Sequence, residues 1–131
     1  MAEYTKLTER LGRVFSKYIR QRDANELGNI KCPLCTRIDL PWREMACCHY
    51  IKRRYMETRW DERNAIGGCR HCNSLDETDP QVHHRLWVLL SDRFGEKTMS
   101  ELAYSKNLTA KFTRSELLEK IKYYQQKIKE L

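Results

Sequence analysis

The 131-residue sequence predicts an α+β domain: a cysteine-stapled β-hairpin and helix between an N-terminal helix and a set of C-terminal helices. Three observations predict it. Two Cys-x2-Cys pairs, Cys32/Cys35 and Cys69/Cys72, predict the staple, because each short knuckle turns two thiols toward one point. Small and apolar residues without a helical stripe, around Cys48 and again just before Cys69, predict the hairpin. Periodicity of three and four residues on both flanks predicts the helices. By length the chain is one domain, residues 1–131, able to bury roughly two thirds of the surface its unfolded chain exposes.

Taken in order, residues 5–25 place Leu7, Leu11, Val14, Phe15, Tyr18 and Ile19 on one helical stripe. The opposite side carries Arg10, Arg13, Lys17, Arg20 and Arg22, read as a solvated face ahead of a nucleic-acid stripe. Gly28 and Asn29 break the helix. Residues 30–78 form the stapled core. A strand is expected to end near His49 or Ile51, and residues 64–68 are the return strand, with Gly67 and Gly68 letting the backbone enter the second knuckle. Between them residues 52–63 read as a basic surface loop whose Tyr55, Met56 and Trp60 either meet nucleic acid or cover the core. A helix over residues 69–77 completes a ββα unit.

Residues 79–131 are helical. Asp79 and Pro80 are an N-cap and first-turn proline, and the helix carrying Val82, Leu86, Leu89, Leu90 and Phe94 should stop at Gly95. His83 and His84 on it read as surface or boundary residues. Thr98 with Glu101, and Thr113 with Glu116, have capping-box spacing. Leu117, Ile121, Tyr124, Ile128 and Leu131 follow a heptad rhythm, read as packing on the N-terminal helix ahead of a dimer seam.

Composition narrows the partners. Lys and Arg number 25 against 18 Asp and Glu, a net charge of +7 and a pI near 9.2, which favours polyanions, nucleic acid first. With a mean hydropathy of −0.79, no run approaches the roughly 20 apolar residues of a membrane span. The N-terminal residues lack the signal-peptide pattern, so an intracellular, cytoplasmic location is expected. There thiols stay reduced, and the six cysteines are metal ligands before they are disulfides. Cys32, Cys35, Cys69 and Cys72 fit structural Zn2+; Cys47 and Cys48 are left over.

The order of the residues inside the staple carries more. A Cys-x2-Cys, then His49 at a strand end, Asn64 five residues before the second Cys-x2-Cys, and Asn73 directly after it resemble the HNH, or ββα-metal, endonucleases. A longer resemblance joins the segment around Phe15 to Asp23, Cys48-His49-Tyr50, the run from Arg59 to Asn64, Cys69-Arg70-His71-Cys72-Asn73 and the Tyr- and Gln-rich last helix. Together these are similar to the phage NinG or Rap recombination proteins.

What the resemblance implies is an endonuclease for branched DNA such as Holliday junctions and D-loops, leaving 5′-phosphate and 3′-hydroxyl ends. His49 is then the general base, a role suited to an imidazole that titrates near neutrality. Asn73 offers its amide oxygen to Mg2+ or Mn2+, hard ions that take oxygen donors. Asn64 braces the loop carrying His49 rather than touching metal. Arg53, Arg54, Arg59 and Arg63 are expected phosphate contacts, and His71 is an exposed knuckle residue or another.

One departure stands out: Ala46-Cys47-Cys48 lacks the acid or histidine such enzymes place ahead of the catalytic histidine. Asp76, one turn beyond Asn73, is the first substitute ligand, then Glu77, or Cys48 with a softer ion beside His49. Two alternatives stay open, a zinc-dependent DNA-binding module without catalysis and an HNH nuclease acting on ordinary duplex. Two nicks per junction make a homodimer reasonable.

Overall fold

A computed structural model describes residues 2–108 and 111–131. Met1, Thr109 and Ala110, inside the expected domain span, lie outside the described residues. The first helix, α1 (Ala2–Arg22), buries Leu11, Phe15, Tyr18 and Ile19. It ends earlier than periodicity suggests, where its last residue and the one after it are tied by hydrogen bonds to the chain around the later hairpin. Arg22 donates to the carbonyls of Glu62 and Ala65, both at 2.8 Å, and the Asp23 carboxylate accepts from Gly67 N–H and Arg93, also at 2.8 Å.

Two separate antiparallel hairpins follow. The first, β1 (Asn29–Lys31) with β2 (Asp39–Pro41), holds Cys32 and Cys35 in its turn and is an element the sequence pattern does not reveal. Its strands span three residues each, too short for alternation to register. The second pairs β3 (Ala46–His49) with β4 (Ala65–Gly68) in the register Cys47 to Gly67, Cys48 to Ile66 and His49 to Ala65. Because side chains alternate across a strand, this hairpin serves two cores at once. Cys48 and Ile66 join a cluster with Leu34, Met45, Leu86 and Leu90, whereas Cys47 and Ala65 join Leu11, Phe15, Trp60 and Leu117.

The connection between β3 and β4 is not a plain loop: it contains a one-turn helix, α2 (Met56–Arg59), and a 3-10 turn at Glu62–Asn64, with Thr58 and Trp60 buried. The helix α3 (Arg70–Leu75) follows β4 directly, so the hairpin and helix stand in the expected order. Gly67 and Gly68 serve by their size, since neither has a positive φ. A Cβ on Gly67 would lie 2.8 Å from Ile30 Cδ1, and one on Gly68 would lie 3.0 Å from Cys48 Sγ.

The remaining helices are α4 (Pro80–Phe94), α5 (Glu96–Ser105) and α6 (Arg114–Lys129). Asp79 caps α4 as expected, its carboxylate accepting from Gln81 N–H. Thr98 does not open α5; Gly95, at φ 93°, turns the chain so sharply that the helix begins at Glu96. The Thr113 and Glu116 capping box is fully formed. The heptad residues Leu117, Ile121 and Tyr124 pack on α1, with the Tyr124 ring edge-on to Phe15 at 5.0 Å, while Leu131 is exposed. Among the described residues no helix is long and apolar enough to cross a membrane.

Candidate active site and metal clamp

The four knuckle cysteines converge. Cys32 and Cys35 come from the first hairpin turn, Cys69 and Cys72 from the start of α3, and all four sulfurs lie within 4.8 Å of one another. Cys35 Sγ and Cys69 Sγ are 3.9 Å apart. A tetrahedron of 2.3 Å Zn–S bonds has an edge of about 3.8 Å, so this spacing suits Zn2+. The backbone prepares the sulfurs: Cys69 N–H donates to Cys32 Sγ and Cys72 N–H to Cys69 Sγ, both at 3.3 Å. At Cys35, burial raises the thiol pKa, but the Arg37 and Ile38 amides and neighbouring sulfurs outweigh it and bring it down to about 6. The cluster fits a structural zinc ion by spacing, donor type and hydrogen bonding.

Cys48 lies on that side of the hairpin, buried against the cluster. It cannot act as a soft ligand beside His49, because the two adjacent residues face opposite ways. Burial also raises its thiol well above the usual range. Cys47 shares the His49 face, and burial pushes its thiol up to about 12, so at neutral pH it offers a neutral S–H.

His49 closes β3 with its ring tilted against Phe15 at 5.6 Å. Its Nε2 lies 2.8 Å from the Arg59 carbonyl oxygen. A carbonyl only accepts, so Nε2 carries the proton and Nδ1 keeps the lone pair. Burial, with Arg53 and Arg59 nearby, lowers the pKa from 6.5 to about 4, which keeps the ring neutral at physiological pH. Asn64 is fully buried and holds the chain on both sides of this contact. Its Oδ1 accepts from Ile51 N–H at 2.8 Å, and its Nδ2 donates to the carbonyls of Ile51 at 3.0 Å and Thr58 at 3.1 Å.

His49, Cys47, Arg53 and Asn73 line two clefts that meet at the histidine, of about 800 and 520 Å³. The larger runs toward α1 and is walled by Arg13, Lys17, Arg20, Arg43 and Arg59, with Glu9 as its acid. The smaller runs toward the end of α3, past Lys52, Arg54, Asp76 and Glu77. The result is one positive groove with a neutral imidazole at its centre.

The α1 cations are the residues sequence reasoning undervalued. Arg13, Lys17 and Arg20 recur at steps of four and three and therefore share a face, but only packing shows that this face looks onto His49. Arg22 is instead held by the Glu62 and Ala65 carbonyls described above. Of the expected phosphate contacts, Arg53, Arg54 and Arg59 line the groove. Arg63 does not: its guanidinium is held by Asp61 through two contacts, at 3.0 and 2.8 Å. Asp76 shares the groove wall with Asn73 but is no exposed acid. It is buried, with one oxygen paired to Lys52 and the other 2.8 Å from His83 Nδ1. His71 is exposed on α3.

Fold and site together define a cysteine-clamped α+β domain with a histidine-centred cationic groove. The chain belongs to the NinG family: the family model for the bacteriophage lambda NinG protein matches residues 2–131. No curated protein and no solved structure matches the chain.

Proposed function

We propose that this protein is a metal-dependent endonuclease of the HNH type that cuts branched DNA such as Holliday junctions and D-loops. The observation that carries the reading is the state of His49. It is held by the Arg59 carbonyl through Nε2 and neutral at physiological pH, at the junction of two cation-lined clefts. A general base must be held in place and unprotonated; burial has taken this imidazole below the near-neutral pKa expected of it, and a phosphate bound in the groove would raise it back toward the range in which proton transfer is most efficient. In the proposed step Nδ1 takes a proton from water, the water oxygen bonds to phosphorus, and the bond to the 3′ oxygen breaks. The departing oxygen takes a proton from solvent water and His49 later returns its own to solvent, leaving 5′-phosphate and 3′-hydroxyl ends. Arg53, Arg59 and the α1 cations hold the flanking phosphates, a role without base readout.

Asn73, Asp76 and Glu77 are oxygen donors on the groove wall, the donor type that Mg2+ or Mn2+ takes. Such an ion, held by Asn73 with Glu77, would neutralise charge on the phosphoryl and departing oxygens. Asp76, with both oxygens already paired, anchors Lys52 and His83 instead. Preference for branched substrates rests on the family. Cutting both strands of a junction would call for two copies of the site, and light scattering of the protein on junction DNA tests for a homodimer.

One observation favours the second reading, a zinc-dependent DNA-binding module. Among the described residues the knuckle cysteines are the one group of three or more His, Cys, Asp or Glu close enough to share a metal. Incubation of the protein with a four-way junction and a matched linear duplex, with Mg2+, Mn2+ or neither, separates the readings. Metal-dependent cuts in the junction are expected. Binding without cuts under either ion would establish the module, and equal cutting of both DNAs would remove the branch preference.

A further inference from the structure

Beyond the groove lies a group of rings that the hydrolytic reading leaves unused. Tyr50 directly follows His49, and its side chain leaves the backbone on the other side. Its ring stacks on His83 with centroids 4.5 Å apart and planes at 14°. Next along α4, His84 stacks on Trp87 at 5.9 Å and 17°. These four rings and Pro80 line a pocket of about 340 Å³, with no carboxylate in its wall among the described residues.

This pocket is joined to the groove by one buried group. Asp76 lines the groove, and its carboxylate holds Lys52 on the groove side and the His83 ring on the pocket side. Lys52, Arg53 and Arg54 therefore supply positive charge along the approach from His49 to the rings.

We propose that the aromatic pocket takes an unpaired nucleobase of the DNA whose backbone lies in the groove, an inference that rests on the groove being a DNA site. Two ring pairs, each with nearly parallel planes, offer flat aromatic surface for the π-face that every base presents, and a wall without acids among the described residues suits a ligand joined to phosphates. Bases inside a duplex have both faces covered by their neighbours and cannot enter. A base freed at a branch, gap or flap can. The pocket thus supplies a basis for structure selectivity that phosphate contacts lack, since those are alike in paired and unpaired DNA.

The test is binding without added Mg2+ or Mn2+, so it does not depend on cleavage. Three DNAs of equal length are compared: a full duplex, a duplex with a short unpaired stretch containing 2-aminopurine, and the same stretch made abasic. Expected are quenching of the 2-aminopurine on binding and about tenfold tighter binding of the unpaired DNA than of the other two. Tyr50→Leu, which keeps bulk but removes the ring, and Trp87→Ala should lose both the quenching and the preference. Their duplex affinity should stay within about twofold, and Trp87→Phe should retain the preference. Equal affinity for the three DNAs, an unquenched probe, or variants that weaken all three binding events alike would overturn the pocket and leave the groove standing. Failure to bind any of them would overturn both.

Discussion

The two faces of the β3–β4 hairpin are held by different means. On one face Cys48 and Ile66 pack against the knuckles and α4, in a region whose small hairpin is closed by four converging sulfurs. On the other, Cys47 and Ala65 meet the long helices α1 and α6, which interlock through Leu11, Phe15, Leu117, Ile121 and Tyr124. The first face gathers short strands and knuckles with α4 and α5 around a buried cluster that the sulfurs cross-link; the second is held by helix packing with no such cross-link. His49 belongs to the second, resting on Phe15, while Asn73 extends from the helix anchored in the first. The groove lies where the two meet, so each core should position a different part of it.

The largest expected effect comes from breaking the cross-link. Removing the metal with a strong chelator, or Cys72→Ser, should abolish the cooperative thermal transition, since zinc knuckles can owe roughly 10 kcal/mol or more of their folding to the ion. Retention of a native transition in metal-free protein would mean that the helix-packed side carries the fold alone. Next is Phe15→Ala, which removes a fully buried ring and should cost about 3–5 kcal/mol in denaturant titrations. The cysteine cluster should still bind Co2+ with its thiolate charge-transfer absorption; its loss would show the two cores to be one unit.

Gly68→Ala is a smaller perturbation aimed at the clamp. The added methyl would meet Cys48 Sγ at 3.0 Å, an overpacking that should cost about 1–3 kcal/mol. Unchanged stability would show that the clamp side yields more easily than its sulfurs suggest. Smallest is the pH effect on the helix side. Below 6.5 the unfolded chain takes up a proton at His49 that the folded protein declines until about 4, so stability should fall as pH drops through that window. His49→Gln should flatten this part of the pH profile; an unaltered slope would place the imidazole in water.

Local rules made much of this legible. Cysteine spacing, the Asp79 and Thr113 caps, the stop at Gly95 and the apolar stripes of α1, α4 and α6 each depend on residues within a turn or two of one another. The misses depend on distance. The β1–β2 hairpin has strands too short for alternation to announce, and α5 begins at Glu96 because Gly95 alone sets the corner. Arg63 and Asp76 read as free charges, yet Asp61, Lys52 and His83 claim them through the fold. Likewise nothing in α1 alone says that Arg13, Lys17 and Arg20 face the histidine rather than open water. Candidate site residues can thus be named from sequence, whereas which of them are already paired is a tertiary fact.

The proposed hydrolysis requires the hairpin to present His49 as a neutral base to DNA in the groove. Its most direct test is single-turnover cleavage of a four-way junction by the wild-type protein and His49→Ala, at protein concentrations where both are shown to bind. Expected are Mg2+- or Mn2+-dependent cuts by the wild type and at least a hundredfold loss in the variant, as removal of a general base entails. Equal cutting by the two proteins would contradict it.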